Sequence, residues 1–223
     1  MIDGIKAVAF DIDGTLYPSL KLYLSMTFYV FKHLKFYLTF SKVRRQLHRT
    51  APLADFYEYQ ARLFAHEYGC TPQKAKEMIH QICYIGMKPY FKKMKPFPHV
   101  VDCIKAFKAA GLKIGILSDF PPEQKDDIWG IRDLCDVCLG SEQSGALKPS
   151  LYPFGILAKE LKLNYNEILY VGNSRKCDVH GATNAGMKTA FVQNGFFKLF
   201  NIKSSKAVIS FSDYRKLRDF VLK

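Results

Sequence analysis

From His99 onward the chain alternates short apolar runs with amphipathic segments, a pattern that leaves few folds open. Residues 99–110 read as a helix closed by Gly111, Leu112 to Leu117 as an apolar strand, and Pro122 as the start of a short helix. Val137-Cys138-Leu139 is a further strand, and 150–162 a helix with Ser150 as its cap. Ile168 to Val171 is a strand, 175–185 a helix ended by Gly186, and Thr189 to Val192 and Ala207 to Ile209 are strands before a last helix over 212–222. Apolar runs that do not alternate with polar residues belong to strands buried on both faces, and strands separated by helices pair in parallel. The expected fold class is therefore α/β, with a Rossmann-like parallel-sheet core. Ligands of such sheets sit beyond the carboxyl ends of the strands.

One strand of the same kind stands apart near the N-terminus, in Ala7-Val8-Ala9-Phe10-Asp11-Ile12-Asp13-Gly14-Thr15-Leu16-Tyr17. Between it and the alternating region, residues 18–95 are aromatic, basic and helix-patterned, with helices expected around 20–40, 42–48, 53–68 and 72–86. Gly69 ends one of these helices, and Thr71 caps the next with Pro72 at its first position. Lys95-Pro96-Phe97-Pro98 breaks the pattern. A segment this long is not a loop. The expectation is an inserted all-helical domain over 18–95, hinged near Tyr17–Leu20 and Met94–Pro98, with 1–17 and 96–223 forming the core.

The formal charge of +13 is unevenly spread: residues 18–98 carry 14 lysines and arginines against four acidic residues. Such a region attracts anions, whether a phosphorylated small molecule or an anionic membrane surface. No basic–aromatic nucleic-acid motif is present, so nucleic acid is not an expected partner. Leu22 to Phe40 has the length of a membrane span, but Lys32, His33 and Lys35 at its centre would cost about 3 kcal/mol each. An amphipathic helix of the inserted domain is the better reading, with a membrane-surface or dimer contact through its exposed aromatics as the alternative. The six cysteines are scattered, and Cys135-x-x-Cys138 lacks the second ligand pair of a zinc site. The chain runs from Met1-Ile2-Asp3-Gly4 directly into its first strand pattern with no secretory leader pattern, so a cytoplasmic protein is expected, as monomer or homodimer.

Asp11 and Asp13 stand where a strand runs out into a loop, two residues apart and therefore on one side. Carboxylates there are costly to desolvate without a cation, and a hard divalent ion prefers oxygen ligands. Three more elements follow in order: Ser118 at the end of Ile114-Gly115-Ile116-Leu117, then Lys148-Pro149-Ser150, then Val171-Gly172-Asn173-Ser174-Arg175-Lys176-Cys177-Asp178. In order and spacing these resemble the haloacid dehalogenase superfamily of phosphohydrolases over residues 5–192, and the insertion resembles that family's helical type-1 cap.

The resemblance implies a Mg²⁺-dependent phosphatase that hydrolyses a small phosphomonoester through an aspartyl-phosphate. It makes Asp11 the nucleophile, Asp13 the general acid and base, and Lys148 the charge-neutralising cation. Ser118, Asp119, Lys148, Gly14 and Thr15 would bind the substrate phosphate. Asp11, Asp13 (through its carbonyl), Asp178 and Asn173 would hold Mg²⁺. The dehalogenases of the family lack an acid/base aspartate where Asp13 stands, because halide leaves without a proton. Asn173 departs from the aspartate most frequent there, and Asp119 stands where asparagine often follows the serine. The Phe10-Asp11-Ile12-Asp13-x-Thr15-Leu16-Tyr17 form is similar to that of some nucleotidases of the family, so nucleotides join sugar phosphates and phosphoglycolate as expected substrates. Two alternatives stand beside this reading: a phosphomutase of the same family, and a weakly catalytic relative that binds a partner or an anionic membrane through its basic cap.

Overall fold

The computed structural model describes Ile2 and residues 4–223. β1 (Ala7–Phe10) leads into a helical run: α1 (Ser19–Lys32), α2 (Leu34–Leu47), α3 (Phe56–Tyr68), α4 (Pro72–Met78), a π-helical turn over Ile79–Ile85, and α5 (Lys88–Phe91). There follow α6 (Val100–Ala109), β2 (Lys113–Ser118), β3 (Val137–Gly140), α7 (Leu151–Leu161) and β4 (Ile168–Gly172). The chain ends with α8 (Gly181–Asn184), β5 (Lys188–Val192), α9 (Gly195–Leu199), β6 (Ile209–Phe211) and α10 (Tyr214–Leu222). Among the described residues the strands form one sheet in the order β3-β2-β1-β4-β5-β6, and every neighbouring pair is parallel.

The period of two in β1 sorts its side chains onto two cores. Val8 and Phe10 face one core with Phe107 of α6 and Leu217 of α10, while Ala7 and Ala9 face the other with Phe154 and Leu157 of α7. The second face is built small. A Cβ on Gly115 would lie 3.2 Å from both Ala9 Cβ and Leu157 Cδ1, so glycine lets α7 press against the sheet. Each large side chain buried in these layers contributes roughly 1.5–3 kcal/mol. Helix ends follow local chemistry. Thr71 Oγ1 accepts from the Lys74 amide, Ser150 Oγ from that of Tyr152, and Gly69, Gly111 and Gly186 take left-handed conformations at the stops.

The helical run differs from expectation at one joint. Instead of helices over 20–40 and 42–48, the chain turns at His33, and α2 continues unbroken through residue 41 to Leu47. The two helices serve different cores. Leu22 and Met26 of α1 join the core over β1, whereas Phe36, Phe40, Val43 and Leu47 of α2 pack with Phe64 and Ile79 in a separate cluster. A straight helix cannot point its buried stripe at both.

The helices expected at 72–86 and 175–185 both widen into π-helical turns, over Ile79–Ile85 and Arg175–His180. The first leaves carbonyls free for side chains: Gln124 Nε2 donates to Cys83 O at 2.8 Å and Tyr29 to Ile82 O at 3.0 Å. The last strand sits two residues later than the expected 207–209, at Ile209–Phe211, because Phe211 is the residue that reaches the core. Among the described residues no helix is long and apolar enough to cross a membrane.

Candidate active site

The three innermost strands end together, and the residues that follow them meet at one point. Asp11 follows β1, Ser118 closes β2, and Asn173 follows β4, the neighbours of β1 on either side. Connections leave β1 and β4 in opposite directions, which opens a crevice at their carboxyl ends. A cavity of about 470 Å³ lies there, with Asp11, Asp13, Asp119, Lys148, Asn173 and Asp178 along its floor.

Lys148 ties the floor together. Its Nζ lies 2.7 Å from Asp11 Oδ1 and 2.7 Å from Asp178 Oδ1, with Tyr170 Oη at 3.1 Å and the Leu117 carbonyl at 3.3 Å. All three charged side chains are buried. Burial alone would lower the Lys148 pKa, but Asp11 and then Asp178 outweigh it and hold the ammonium well above its usual range. Burial pushes the Asp11 carboxyl up to about 7, with Lys148 opposing and Asp178 and Asp13 adding to the rise. One lysine therefore does not fully compensate this carboxylate cluster.

Each oxygen of Asp11 is oriented. Oδ1 takes the Lys148 bond, and Oδ2 accepts from Thr15 Oγ1 at 2.9 Å. Thr15 is fully buried, its hydroxyl also lies 3.2 Å from Asn173 Oδ1, and Tyr214 fixes its carbonyl at 2.6 Å. Thr15 thus stands behind Asp11 and not in the cavity. Gly14 also lies behind the floor, its carbonyl accepting from Asn194 Nδ2. It has a left-handed φ of 80°, and a Cβ there would fall 2.5 Å from Asn173 Nδ2. Gly14 and Thr15, expected at the phosphate, meet Asn173, Asn194 and Tyr214 on this side. Gly172 is constrained in the same way, since a Cβ would lie 2.3 Å from Asp178 Cβ. Asp178 Oδ2 is held by the Ser174 amide at 2.8 Å.

Asp13 is half-buried and has a different set of partners. Tyr17 donates to Oδ1, Ser118 Oγ donates to Oδ2 at 3.3 Å, and Lys125 Nζ lies 3.1 Å from Oδ2. Ser118, expected at the phosphate, is fully buried with its hydroxyl turned to Asp13. Asp119 Oδ1 accepts from the Lys148 amide at 3.1 Å and so positions the lysine's backbone, while its side chain still lines the floor.

Several of these partners carried no sequence signal. Lys125 sits in a short 3₁₀ turn, Pro122–Lys125, with its ammonium near the Phe91 and Phe120 rings and Asp13 as its ion-pair partner. Tyr170 lies inside an apolar strand, where its hydroxyl reads as core. Tyr17 lies two residues beyond Thr15 and four after Asp13, and its hydroxyl comes back to that carboxylate.

The helical run closes the cavity from above. Arg45 of α2, His48 just beyond it and Tyr23 of α1 line its walls, with Tyr37, Phe40, Met87 and Phe91. His48 Nδ1 lies 2.6 Å from the Lys148 carbonyl, which can only accept, so that ring nitrogen carries the proton. Arg44, beside these, is not free for a ligand. It pairs with the buried Glu142 after β3, which also accepts from Tyr84 at 2.7 Å. Burial pushes the Glu142 carboxyl up, and Arg44 opposes that rise.

The family model for haloacid dehalogenase-like hydrolases matches residues 8–192. Among curated proteins, the chain is 27% identical over 208 residues to a glyceraldehyde 3-phosphate phosphatase of Methanopyrus kandleri, covering 87% of this chain and 86% of that protein. It is 25% identical over 217 residues to a phosphoglycolate phosphatase of Salmonella choleraesuis, covering 87% and 84%. A crystal structure of a phosphatase of the same superfamily from Thermococcus onnurineus superposes with a TM-score of 0.65 at 20% identity, covering 98% of both chains. The match spans β1 through β5 and so takes in Asp11, Ser118, Lys148 and Asp178. The chain belongs to the haloacid dehalogenase-like hydrolases.

Proposed function

We propose that this hydrolase releases phosphate from a small phosphomonoester, with Asp11 as nucleophile and Asp13 as general acid and base. The observation that carries the proposal is the contrast between two carboxylates two residues apart. Asp11 is enclosed and held by Lys148 and Thr15, while Asp13 is half-exposed and held by Tyr17, Ser118 and Lys125. An Asp11 oxygen attacks phosphorus as the bond to the substrate's ester oxygen breaks, and Asp13 gives that oxygen its proton. Asp13, now a carboxylate, takes a proton from water as the water oxygen attacks the aspartyl-phosphate, which returns Asp11 and frees phosphate. Lys148 offsets the negative charge gathered around Asp11 throughout.

The donor set fits Mg²⁺. Asp11, Asp178, the Asn173 amide oxygen and the Asp13 carbonyl are hard oxygen donors, and the Asp11 and Asp178 carboxylates share a single lysine. Among the described residues no three His, Cys, Asp or Glu side chains group closely enough to hold a metal alone, so main-chain, amide and substrate oxygens would complete its shell. When bound, the ion neutralises charge on the phosphoryl oxygens and keeps Asp11 ionised at neutral pH. Residues 18–95 serve in this reading as the cap, which carries Arg45, His48 and Tyr23 to the cavity and excludes water. The named relatives act on glyceraldehyde 3-phosphate and phosphoglycolate, and a cavity of about 470 Å³ suits substrates of that size or a nucleotide or sugar phosphate.

A phosphate-release panel with Mg²⁺, spanning triose, sugar and nucleoside phosphates and phosphoglycolate, tests the proposal. Release from at least one substrate, abolished in Asp11→Asn and lowered about 10²–10⁴-fold in Asp13→Asn, is the expected result. No release from any phosphomonoester, a chromogenic one included, overturns it.

A further inference from the structure

Helix α1 is apolar on two sides, and only one of them is buried. Leu22 and Met26 enter the core, while Leu20, Tyr23, Leu24, Phe28 and Phe31 recur at helical spacing on the outer face. Phe28 is 82% exposed and Phe31 74%, and the stripe continues onto α2 through Leu34 and Leu38. Isolated exposed apolar residues need no explanation, but a contiguous row rimmed by polar groups marks an interaction surface.

The charge around the row identifies the partner. The chain carries no acidic residue between Asp13 and Asp55, whereas α1 and the start of α2 expose Lys21, Lys32 and Lys35; farther along α2, Lys42 and Arg44 are paired with Glu67 and Glu142. Lys21 and Lys32 fall on one flank of the stripe by helical spacing, are exposed, and pair with no carboxylate among the described residues. A two-fold contact between copies would set this acid-free surface against itself and oppose like charges. An anionic bilayer surface complements both features at once. Phe28, Phe31 and Leu24 would enter the boundary between headgroups and acyl chains, and the lysines would reach the headgroups on their flexible stems. The helix spans only 14 residues and lies across the protein surface, so it fits the plane of the interface and not its normal.

We infer that the outer face of α1, continued by Leu34 and Leu38, docks this protein on an anionic membrane surface. Tyr23 belongs to both the stripe and the cavity wall, so the docked face lies beside the cavity that holds Asp11 and Asp13. The inference does not depend on the proposed reaction, since binding is read without turnover.

Co-sedimentation with phosphatidylcholine–phosphatidylserine vesicles and with pure phosphatidylcholine vesicles tests it. The full chain should sediment with the anionic vesicles at about 0.05 M salt, release at about 0.5 M, and bind neutral vesicles far less. Phe28→Glu/Phe31→Glu should lower the vesicle partition coefficient at least about tenfold while its circular-dichroism melt stays that of the parent, because both side chains are exposed. Failure of the parent chain to bind anionic vesicles at low salt overturns the inference, as does equal binding by the double variant or by neutral vesicles. A dimer in sedimentation velocity that the double variant dissolves, with no vesicle binding by the parent, also overturns it and assigns the face to a second copy.

Discussion

At the carboxyl edge of the sheet, Lys148, Asp11 and Asp178 are charged and enclosed, whereas on the outer face of α1 the apolar Leu20, Leu24, Phe28 and Phe31 stand in solvent. Both regions run against ordinary burial preferences, in opposite directions. The first is closed: Lys148 touches both carboxylates, and Thr15 and the Ser174 amide take their other oxygens. The second is open, because nothing among the described residues covers it. A burial violation resolved inside the molecule points to chemistry, and one left unresolved points to a partner.

The sharpest way to break the closed region is Lys148→Met. It leaves two buried carboxylates with no cation, so a loss of about 3–5 kcal/mol in urea unfolding is expected, together with loss of turnover. A melt within error of the parent would show that the cluster is not the closed network described.

Lys125→Met is a milder break, because its partner Asp13 is half-exposed and keeps Tyr17 and Ser118. We expect kcat to fall about tenfold, or ~1.4 kcal/mol, with KM nearly unchanged and Lys125→Arg restoring most of the loss. A change in KM alone would place Lys125 with the substrate and remove it from the positioning of Asp13.

Asp213 supplies a half-buried counterpart to the enclosed carboxylates. It caps α10 and accepts from Arg215, whose side chain and amide hold its carboxyl down to about 2. A carboxyl lowered on folding stabilises the protein above its unfolded value and loses that contribution as pH falls through the folded one. Asp213→Asn keeps a capping side chain, so about 0.5 kcal/mol should separate it from the parent at pH 7. The gap should close as the pH is taken from about 4 to about 2, and a gap that persists there would tie it to something other than the charge.

The smallest expected effect lies on the open region. Phe28→Ser removes an exposed side chain that packs on no core, so thermal stability should move by no more than about 0.5 kcal/mol. A larger destabilisation would mean that the face is already covered in the folded protein.

The same two regions divide what could be read from the sequence. The parallel sheet, the helix stops at Gly69, Gly111 and Gly186, and the caps at Thr71 and Ser150 are local events, settled within a turn or a strand by period and backbone preference. Asp11 and Asp13 share a side for the same reason. The turn at His33, by contrast, follows from two cores competing for one amphipathic run, and no residue near His33 announces it. The widening of the helices at Ile79–Ile85 and Arg175–His180 is likewise decided by what packs around them.

The sequence by itself determined the order of strands and helices, the placement of Asp11, Ser118 and the Gly172-Asn173 pair at strand ends, and the family. Tertiary structure alone decided that Lys125 comes to Asp13, that Arg44 pairs with Glu142, that Thr15 stands behind Asp11, and that one face of α1 is left bare. The physical reason is range. Propensity and periodicity act over a few residues, but which charge meets which, and which apolar face finds no cover, depends on how segments a hundred residues apart pack.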